Sequence, residues 1–365
     1  MSSIIDYAKS FTASFDESPF SQVDSLVLSE LTYSHFNVFV SARQRFLAPV
    51  IKLRELLSDE KIEAMISAIH SRENEKKLLL AIKDNPRFNG VGVARSVCEF
   101  DTNDDKQFSA ITFILNKKSF YVAFRGTDST LVGWKEDFNM SFMSAVPAQR
   151  LALKYLNESA KRFRGSIFVG GHSKGGNLAE YAAIMCDDKI QSRIVNIFSH
   201  DGPGFKKGLF DDIELSSITP KILKTVPQSS LIGMLLESQE NYTIIKSNAS
   251  GIMQHDPYSW EIEDNRFVTL SEITRGAKYF DSTISSWLST LSDEKRETFV
   301  DLLFRIVEAS GANTIYDMTD MKLKKLKDML GELKNVDSET KRFALKTIKT
   351  LAALAIKNTP KLVIK

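Results

Sequence analysis

The sequence has few of the features that mark secreted or membrane-spanning proteins. It holds only two cysteines, Cys98 and Cys186, far apart in the chain, which excludes a disulfide-rich scaffold and is typical of a reducing compartment. Its longest clean apolar run, residues 351–356, is far shorter than the roughly twenty residues needed to cross a bilayer. The first residues lack the basic, apolar and small-residue layout of a signal peptide. We therefore expect a cytoplasmic protein.

Strong charge of one sign is also missing from the chain as a whole, but not from its end. The net charge is +2. Hydrophobic residues make up 43% of the chain and charged residues 26%, which is ordinary for a globular protein. Residues 321–365, however, carry twelve Lys and Arg against four Asp and Glu. A basic helical tail can meet anionic lipid or an acidic partner, although such stretches are more often solvated helix faces. The sequence leaves these contacts open and predicts no specific nucleic-acid binding.

Hydrophobic periodicity divides the 365 residues into three parts. The pattern is helical up to about Phe88. Short β-branched and aromatic segments follow, and after Gly126 they alternate with helices, which is typical of a mainly parallel sheet covered on both faces. Strands are predicted at 91–100, 108–115, 120–124, 166–169 and 194–199, and helices at 146–163, 175–186, 318–333 and 338–357. We predict a helical N-terminal segment at 1–88 packing on the core, an α/β core at 89–270 and a helical, basic C-terminal extension at 271–365.

The segment Gly171-His-Ser173-Lys-Gly175 carries the strongest chemical signal. An apolar strand runs into it and a small-residue helix leaves it, which is the strand–turn–helix context of a G-x-S-x-G nucleophile elbow. So tight a turn tolerates only hydrogen as the side chain at its flanking positions and leaves the serine exposed at the sheet edge. The alternative is a glycine-rich turn with an idle serine. We predict that Ser173 is a nucleophile.

Such a serine needs a base, because a hydroxyl is a poor nucleophile at neutral pH. The chain offers five histidines. Two of them precede the predicted sheet, one lies inside the elbow as a support residue, and one ends a strand; these are His35, His70, His172 and His200. His255 follows on a downstream loop, where α/β-hydrolases deliver their histidine. We predict His255 as the base, against the alternative of a loop histidine that only bonds a backbone carbonyl.

The acid that orients this base is less clearly marked. Asp201 follows an apolar strand 28 residues beyond the serine, and the order Ser173, Asp201, His255 is the order of this fold. Asp256 adjoins His255, but neighbouring side chains in an extended segment diverge. Glu237 is a more distant candidate. We predict Asp201, with a simple turn-forming role of Asp-Gly-Pro as the alternative.

An oxyanion hole normally takes one backbone N–H from the residue after the nucleophile and one from an earlier strand-end loop. The first is Lys174. For the second, the strand ending at Phe124 breaks at Arg125-Gly126, so that Thr127 can offer its amide and its hydroxyl. We predict Thr127 and Lys174 as the oxyanion pair.

The chain resembles a known family at these positions. Phe124-Arg-Gly-Thr127, followed by Trp134, Asp137 and the pentapeptide at 171–175, is similar to the signature of class 3 lipases, and the whole chain resembles their bacterial branch of Mbeg-like proteins. The resemblance covers about residues 15–262. It implies an α/β-hydrolase fold, Ser173 as nucleophile, His255 as base, and Thr127 with Lys174 as oxyanion pair.

The chain departs from that family at one position. Class 3 lipases carry their acid in an Asp-x-Val-Pro element one strand further on, whereas Lys224-Thr-Val-Pro227 here has no carboxylate. The acid's role therefore moves to Asp201, or the triad is incomplete.

Two hypotheses follow about the function. The first is a serine hydrolase of carboxylic esters, acting as a lipase, esterase, lysophospholipase or thioesterase on a small-molecule ester, lipids included, without metal or cofactor. The second is an inactive hydrolase-fold binding or regulatory module, which the departure favours. The apolar run at 229–236 is an acyl-binding wall, a mobile flap or buried core.

Overall fold

A nine-stranded sheet runs through the molecule. The computed structural model describes residues 2–40, 50–66, 72–101, 106–128, 130–236, 241–278, 291–308, 337–338 and 340–342. Within these ranges the sheet has the strand order β1-β2-β3-β4-β5-β6-β7-β8-β11. Its members are β1 (Ile51–Lys52), β2 (Gly92–Asp101), β3 (Lys106–Ile114), β4 (Ser119–Phe124), β5 (Ser166–His172), β6 (Ile194–His200), β7 (Ile222–Pro227), β8 (Tyr242–Ile245) and β11 (Thr269–Leu270). A separate antiparallel pair joins β9 (Ile262–Glu263) and β10 (Arg266–Phe267).

The five neighbouring strands from β4 to β8 are parallel, and those outside them are antiparallel. Because parallel strands end at the same edge of a sheet, the loops that follow β4, β5 and β6 lie side by side. The register supports this: Phe124 pairs with Gly171, and His172 pairs with His200. The predicted oxyanion loop, nucleophile and acid each follow the end of one of these three strands.

The first two helices begin where a serine side chain bonds a free backbone amide. Ser3 and Ser21 each accept from an aspartate N–H three residues on, and that aspartate bonds back to the serine N–H. The helices are α1 (Ile4–Ser10), α2 (Gln22–Glu30), α3 (Leu53–Leu56), α4 (Asp59–Ile66), α5 (Arg72–Lys83), α6 (Pro86–Asn89), α7 (Leu131–Asn139), α8 (Pro147–Arg162), α9 (Lys174–Met185), α10 (Asp188–Gln191) and α11 (Asp293–Glu308).

Both faces of the sheet are covered by apolar side chains. On one face, α1, α2, α4 and α5 contribute to a core that includes Tyr121, Ala123 and Phe198 of the sheet. On the other, α8 and α9 pack on Phe124 and Val169. The alternation of inward positions along each strand explains why neighbouring residues enter different cores. The mainly parallel α/β sheet predicted from the sequence is confirmed.

The predicted elements of the core agree with the structure, with ends that shift by up to three residues. At the sheet margins, strands of two to four residues are too short to give a period: β1 lies in the region predicted as helical, and β8 and β11 were not predicted. Inside the core, the strand β7 and the helix α7 were not predicted either. Several predictions fall outside the described residues: His70, Glu237, the helix at 318–333, most of the helix at 338–357, and nearly all of the tail at 321–365. The boundaries at 88 and 270 stay predictions.

Candidate active site

Ser173 stands on a strained turn between β5 and α9. Its backbone has φ 57° and ψ −132°, which L-residues rarely adopt. The glycines on either side fit no other residue: a Cβ on Gly171 would lie 2.3 Å from the backbone carbon of Gly175, and one on Gly175 would lie 2.1 Å from the carbonyl oxygen of Phe124. The turn is therefore as tight as its sequence predicts, and backbone rather than flexible side chains fills the space.

Three side chains from separate parts of the chain form a continuous hydrogen-bonded series here. Nε2 of His255 lies 3.0 Å from Oγ of Ser173, and Nδ1 of His255 lies 2.7 Å from Oδ2 of Asp201. A carboxylate only accepts hydrogen bonds, so Nδ1 carries the ring proton and Nε2 is left to accept the serine proton. The structure thus brings together the three residues predicted for nucleophile, base and acid.

Asp201 is fully buried and held by donors that the sequence did not reveal. Besides His255, its carboxylate accepts from the hydroxyl of Ser230 and from the backbone N–H of Gly233, the latter at 3.2 Å. Its backbone is left-handed, with φ 51°, which asparagine and aspartate tolerate better than most residues. Asp201 is therefore oriented as a hydrogen-bonded carboxylate, beyond the turn-forming role considered as its alternative.

The other candidate residues lie elsewhere or serve other contacts. His200 is buried, bonded to Thr225 and Ser25, and burial lowers its pKa to about 3. His35 starts a short 3-10 helix before the sheet. The Asp256 carboxylate accepts from the N–H of Tyr258 at 3.0 Å and so caps a turn instead of reaching the imidazole. Of the two carboxylates Asp201 and Asp256, Asp201 is the one that bonds the His255 ring.

The predicted oxyanion amides flank the serine. Lys174 is the first residue of α9, and the first N–H groups of a helix have no intrahelical acceptor. On the opposite side Gly126 approaches so closely that a Cβ there would lie 3.0 Å from Cβ of Ser173. The hydroxyl of Thr127 donates to Asp137, so its proton is already used in that hydrogen bond. Their role as an oxyanion pair stays a prediction.

The side chain of Lys174 connects the two segments that carry these amides. The sequence did not indicate this connection. It is buried, and its Nζ donates to Glu136 at 3.0 Å and to both oxygens of Gln107 at 3.1 Å. It also lies 3.7 Å from Asp137, whose pKa burial raises to about 6. Since Asp137 holds Thr127, one buried network connects the elbow with the loop after β4.

A buried carboxyl group, Glu75, contacts Tyr258, which lies three residues after His255. Glu75 accepts from the Tyr258 hydroxyl at 2.9 Å and from Ser34. Burial raises the pKa of Glu75 to about 7 from an ordinary 4.5. The folded protein therefore keeps a proton that the unfolded chain releases, and stability is lost as pH rises from about 4.5 through about 7.

We predict that Glu75→Gln flattens this part of the pH dependence of stability. Between pH 4.5 and pH 8 the wild type should lose about 3 kcal/mol more unfolding free energy than the variant. Urea denaturation of both proteins across this range measures the difference. Parallel curves for the two proteins would contradict it.

A parallel sheet with a strand–tight turn–helix unit at Ser173, followed in the chain by Asp201 and His255, is an α/β-hydrolase fold. Within that class, residues 82–305 match the Mbeg1-like family. Because the match covers more than half of the chain, the chain belongs to that family. The predicted membership is confirmed. No curated protein matches the chain.

Solved lipase structures are similar to parts of the chain at low identity. The Rhizomucor miehei lipase propeptide complex is 14% identical, with 50% of this chain and 68% of that one covered and a TM-score of 0.33. Lip2 lipase from Yarrowia lipolytica is 13% identical, with 53% of this chain and 74% of that one covered and a TM-score of 0.33. The lipase from Rhizopus microsporus var. chinensis is 13% identical, with 60% of this chain and 91% of that one covered and a TM-score of 0.31.

Two further observations concern the described residues only. None of their helices has the length and apolarity that a membrane crossing requires. No group of three or more His, Cys, Asp or Glu side chains among them is arranged to hold a metal ion.

Proposed function

We propose that the protein is a serine hydrolase that cleaves carboxylic esters through an acyl-enzyme on Ser173. The observation that carries this proposal is the hydrogen-bonded series Ser173–His255–Asp201 at a strained strand–helix turn. A hydroxyl, an imidazole of fixed tautomer and a buried carboxylate are the groups that acyl transfer needs, in the geometry it needs.

The proposed reaction has two halves. His255 accepts the proton of Ser173 at Nε2 while the serine oxygen attacks the ester carbonyl, and the amides of Thr127 and Lys174 stabilise the oxyanion. The imidazolium, held by Asp201, then protonates the leaving alcohol. In the second half His255 takes a proton from water, and the water oxygen attacks the acyl carbonyl. The bond from the acyl group to the Ser173 oxygen then breaks, this oxygen takes the proton back from the imidazolium, and the carboxylic acid leaves.

The segment 229–236 supports an acyl substrate. Its Ser230 and Gly233 bond the carboxylate of Asp201, so the segment adjoins the site. This favours an acyl-binding wall or flap over buried core, because its apolar residues are half-buried and lie outside both core clusters: Leu231, Ile232, Met234, Leu235 and Leu236. An acyl chain that packs here would remove this surface from water.

The alternative of an inactive binding module rested on the missing carboxylate at Lys224–Pro227. Asp201 lies at the end of the neighbouring strand β6 and contacts the imidazole from there. The geometry therefore supports the hydrolase better than the binding module. Ester hydrolysis by the wild type and by variants of Ser173 and His255 decides between the two.

We predict that a fluorophosphonate probe labels the wild type and that Ser173→Ala abolishes labelling. With p-nitrophenyl esters of short and long acyl chains, Ser173→Ala and His255→Ala should each lower kcat by about 10⁴-fold or more. A known serine hydrolase, labelled in parallel, controls for the probe. Equal hydrolysis rates in wild type and both variants would favour the binding module.

A further inference from the structure

His172, the residue before the proposed nucleophile, holds the loop of the proposed base. It ends β5, is buried, and its Nε2 lies 2.9 Å from the backbone carbonyl oxygen of His255. A carbonyl only accepts, so the proton of the His172 ring is on Nε2 and its Nδ1 carries a lone pair. The rings of His172 and His255 are in contact, with centroids 4.7 Å apart.

Glu30, the last residue of α2, lies near that nitrogen. Its Oε1 lies 3.5 Å from Nδ1 of His172, and both residues are buried. Neither of these two atoms has a hydrogen-bond partner among the residues that the structure describes. Two buried acceptors left this way are costly, whereas a proton between them satisfies both at once.

The surroundings determine which of the two groups holds that proton. Burial, with Glu75 and Asp256 nearby, raises the pKa of Glu30 well above its ordinary value. Burial, with the imidazoles of His255 and His200, lowers the pKa of His172 well below its ordinary value. The pair is therefore a neutral carboxylic acid and a neutral imidazole.

We infer that Glu30 is a positioning residue for the proposed base: its carboxylic acid donates to Nδ1 of His172, whose Nε2–H holds the carbonyl of His255. This inference rests on the proposed function. It links α2, which precedes the sheet, to the loop that carries the imidazole. Without the proton on Glu30, His172 is no longer fixed in one tautomer, and the imidazole of His255 loses its alignment with Ser173.

Two variants of nearly equal size separate a donor role from simple packing. The amide introduced by Glu30→Gln keeps an N–H donor without charge, so this variant should stay within a few-fold of wild-type kcat. Glu30→Leu has no donor, and a small misplacement of the base should lower kcat by about 10–100-fold. KM should change little in both, because the ester site itself is untouched. Ester hydrolysis below the unfolding temperature of each variant measures this.

Ser29→Ala is the matched control on the same helix. Ser29 is buried, and its hydroxyl bonds Tyr121 at 2.7 Å, away from the imidazole. Its loss should lower the unfolding temperature and leave kcat unchanged. Wild-type kcat in Glu30→Leu would overturn the inference, as would an equal loss in Glu30→Gln, which would show that a carboxylate is required.

A second measurement does not depend on activity. Histidine ¹⁵N spectra of the wild type at pH 7 should show His172 as the neutral Nε2–H tautomer, with an Nδ1 shift that changes in Glu30→Leu. An imidazolium at His172 would overturn the inference even if Glu30→Leu does not fold. A wild type no faster than Ser173→Ala would instead refute the proposed function, and the spectra would still decide the Glu30–His172 contact.

Discussion

Asp201→Asn is expected to lower kcat for ester hydrolysis by about 10⁴-fold while the protein stays folded. Asparagine keeps the size of the side chain, and its oxygen can still accept from Ser230 and Gly233. Its amide nitrogen, however, donates to Nδ1 of His255, so the ring proton moves to Nε2. That nitrogen can then no longer accept the proton of Ser173. Steady-state kinetics with a p-nitrophenyl ester measures the loss.

Asp256→Asn is the matched control for this variant. Asp256 adjoins the same imidazole in the chain, but its carboxylate caps the N–H of Tyr258, a contact that asparagine can keep. Its kcat should stay within a few-fold of wild type. A larger loss in Asp256→Asn than in Asp201→Asn would transfer the acid's role to Asp256.

The elbow could be predicted because everything that defines it is local. Strand, turn and helix follow one another between residues 166 and 185, and two glycines mark where backbone approaches backbone. The same local logic assigned Thr127 to the loop after β4, and its oxyanion role stays a prediction. What the sequence could not show is that the Lys174 side chain turns inward to Glu136, because a lysine in a turn is normally solvated.

The contact between Asp201, the proposed acid, and His255 could not be predicted from a local pattern. The parallel order of β5 and β6 places Asp201 beside Ser173, but its contact with His255, 54 positions further along the chain, also depends on the path of the chain between them. Ser230 and Gly233, three residues apart in an apolar run, gave no recognisable signal. The approach of Glu30 to His172 is more remote still, since it depends on how α2 packs on the sheet. Such contacts follow from tertiary packing and not from a local pattern.

The packing of the N-terminal segment depends in turn on one buried ion pair. Arg87 and Asp24 have no exposed side-chain surface, and Nε and Nη2 of the arginine contact the two carboxylate oxygens at 2.6 and 2.5 Å. The guanidinium also donates to the carbonyls of Ala13 and Ser18 and lies 4.3 Å from the ring centre of Phe15. One cation thereby fixes the loop between α1 and α2.

Arg87→Met should lower the unfolding free energy by about 3–5 kcal/mol, because it leaves the Asp24 carboxylate buried without its cation. The double variant Arg87→Met with Asp24→Asn should lose less, since the uncompensated charge is removed as well. Urea denaturation of the single and double variants measures this coupling.

The exposed pair Lys77–Glu73 gives the comparison that isolates burial as the cause. Its side chains are 52% and 82% exposed and one helical turn apart, and solvent screening leaves such pairs only a small contribution to stability. Lys77→Met should therefore cost roughly a tenth of what Arg87→Met costs. If the two substitutions cost the same, the N-terminal segment is held by its apolar contacts alone. The network around Arg87 would then have no measurable part in presenting α2, and with it Glu30, to the sheet.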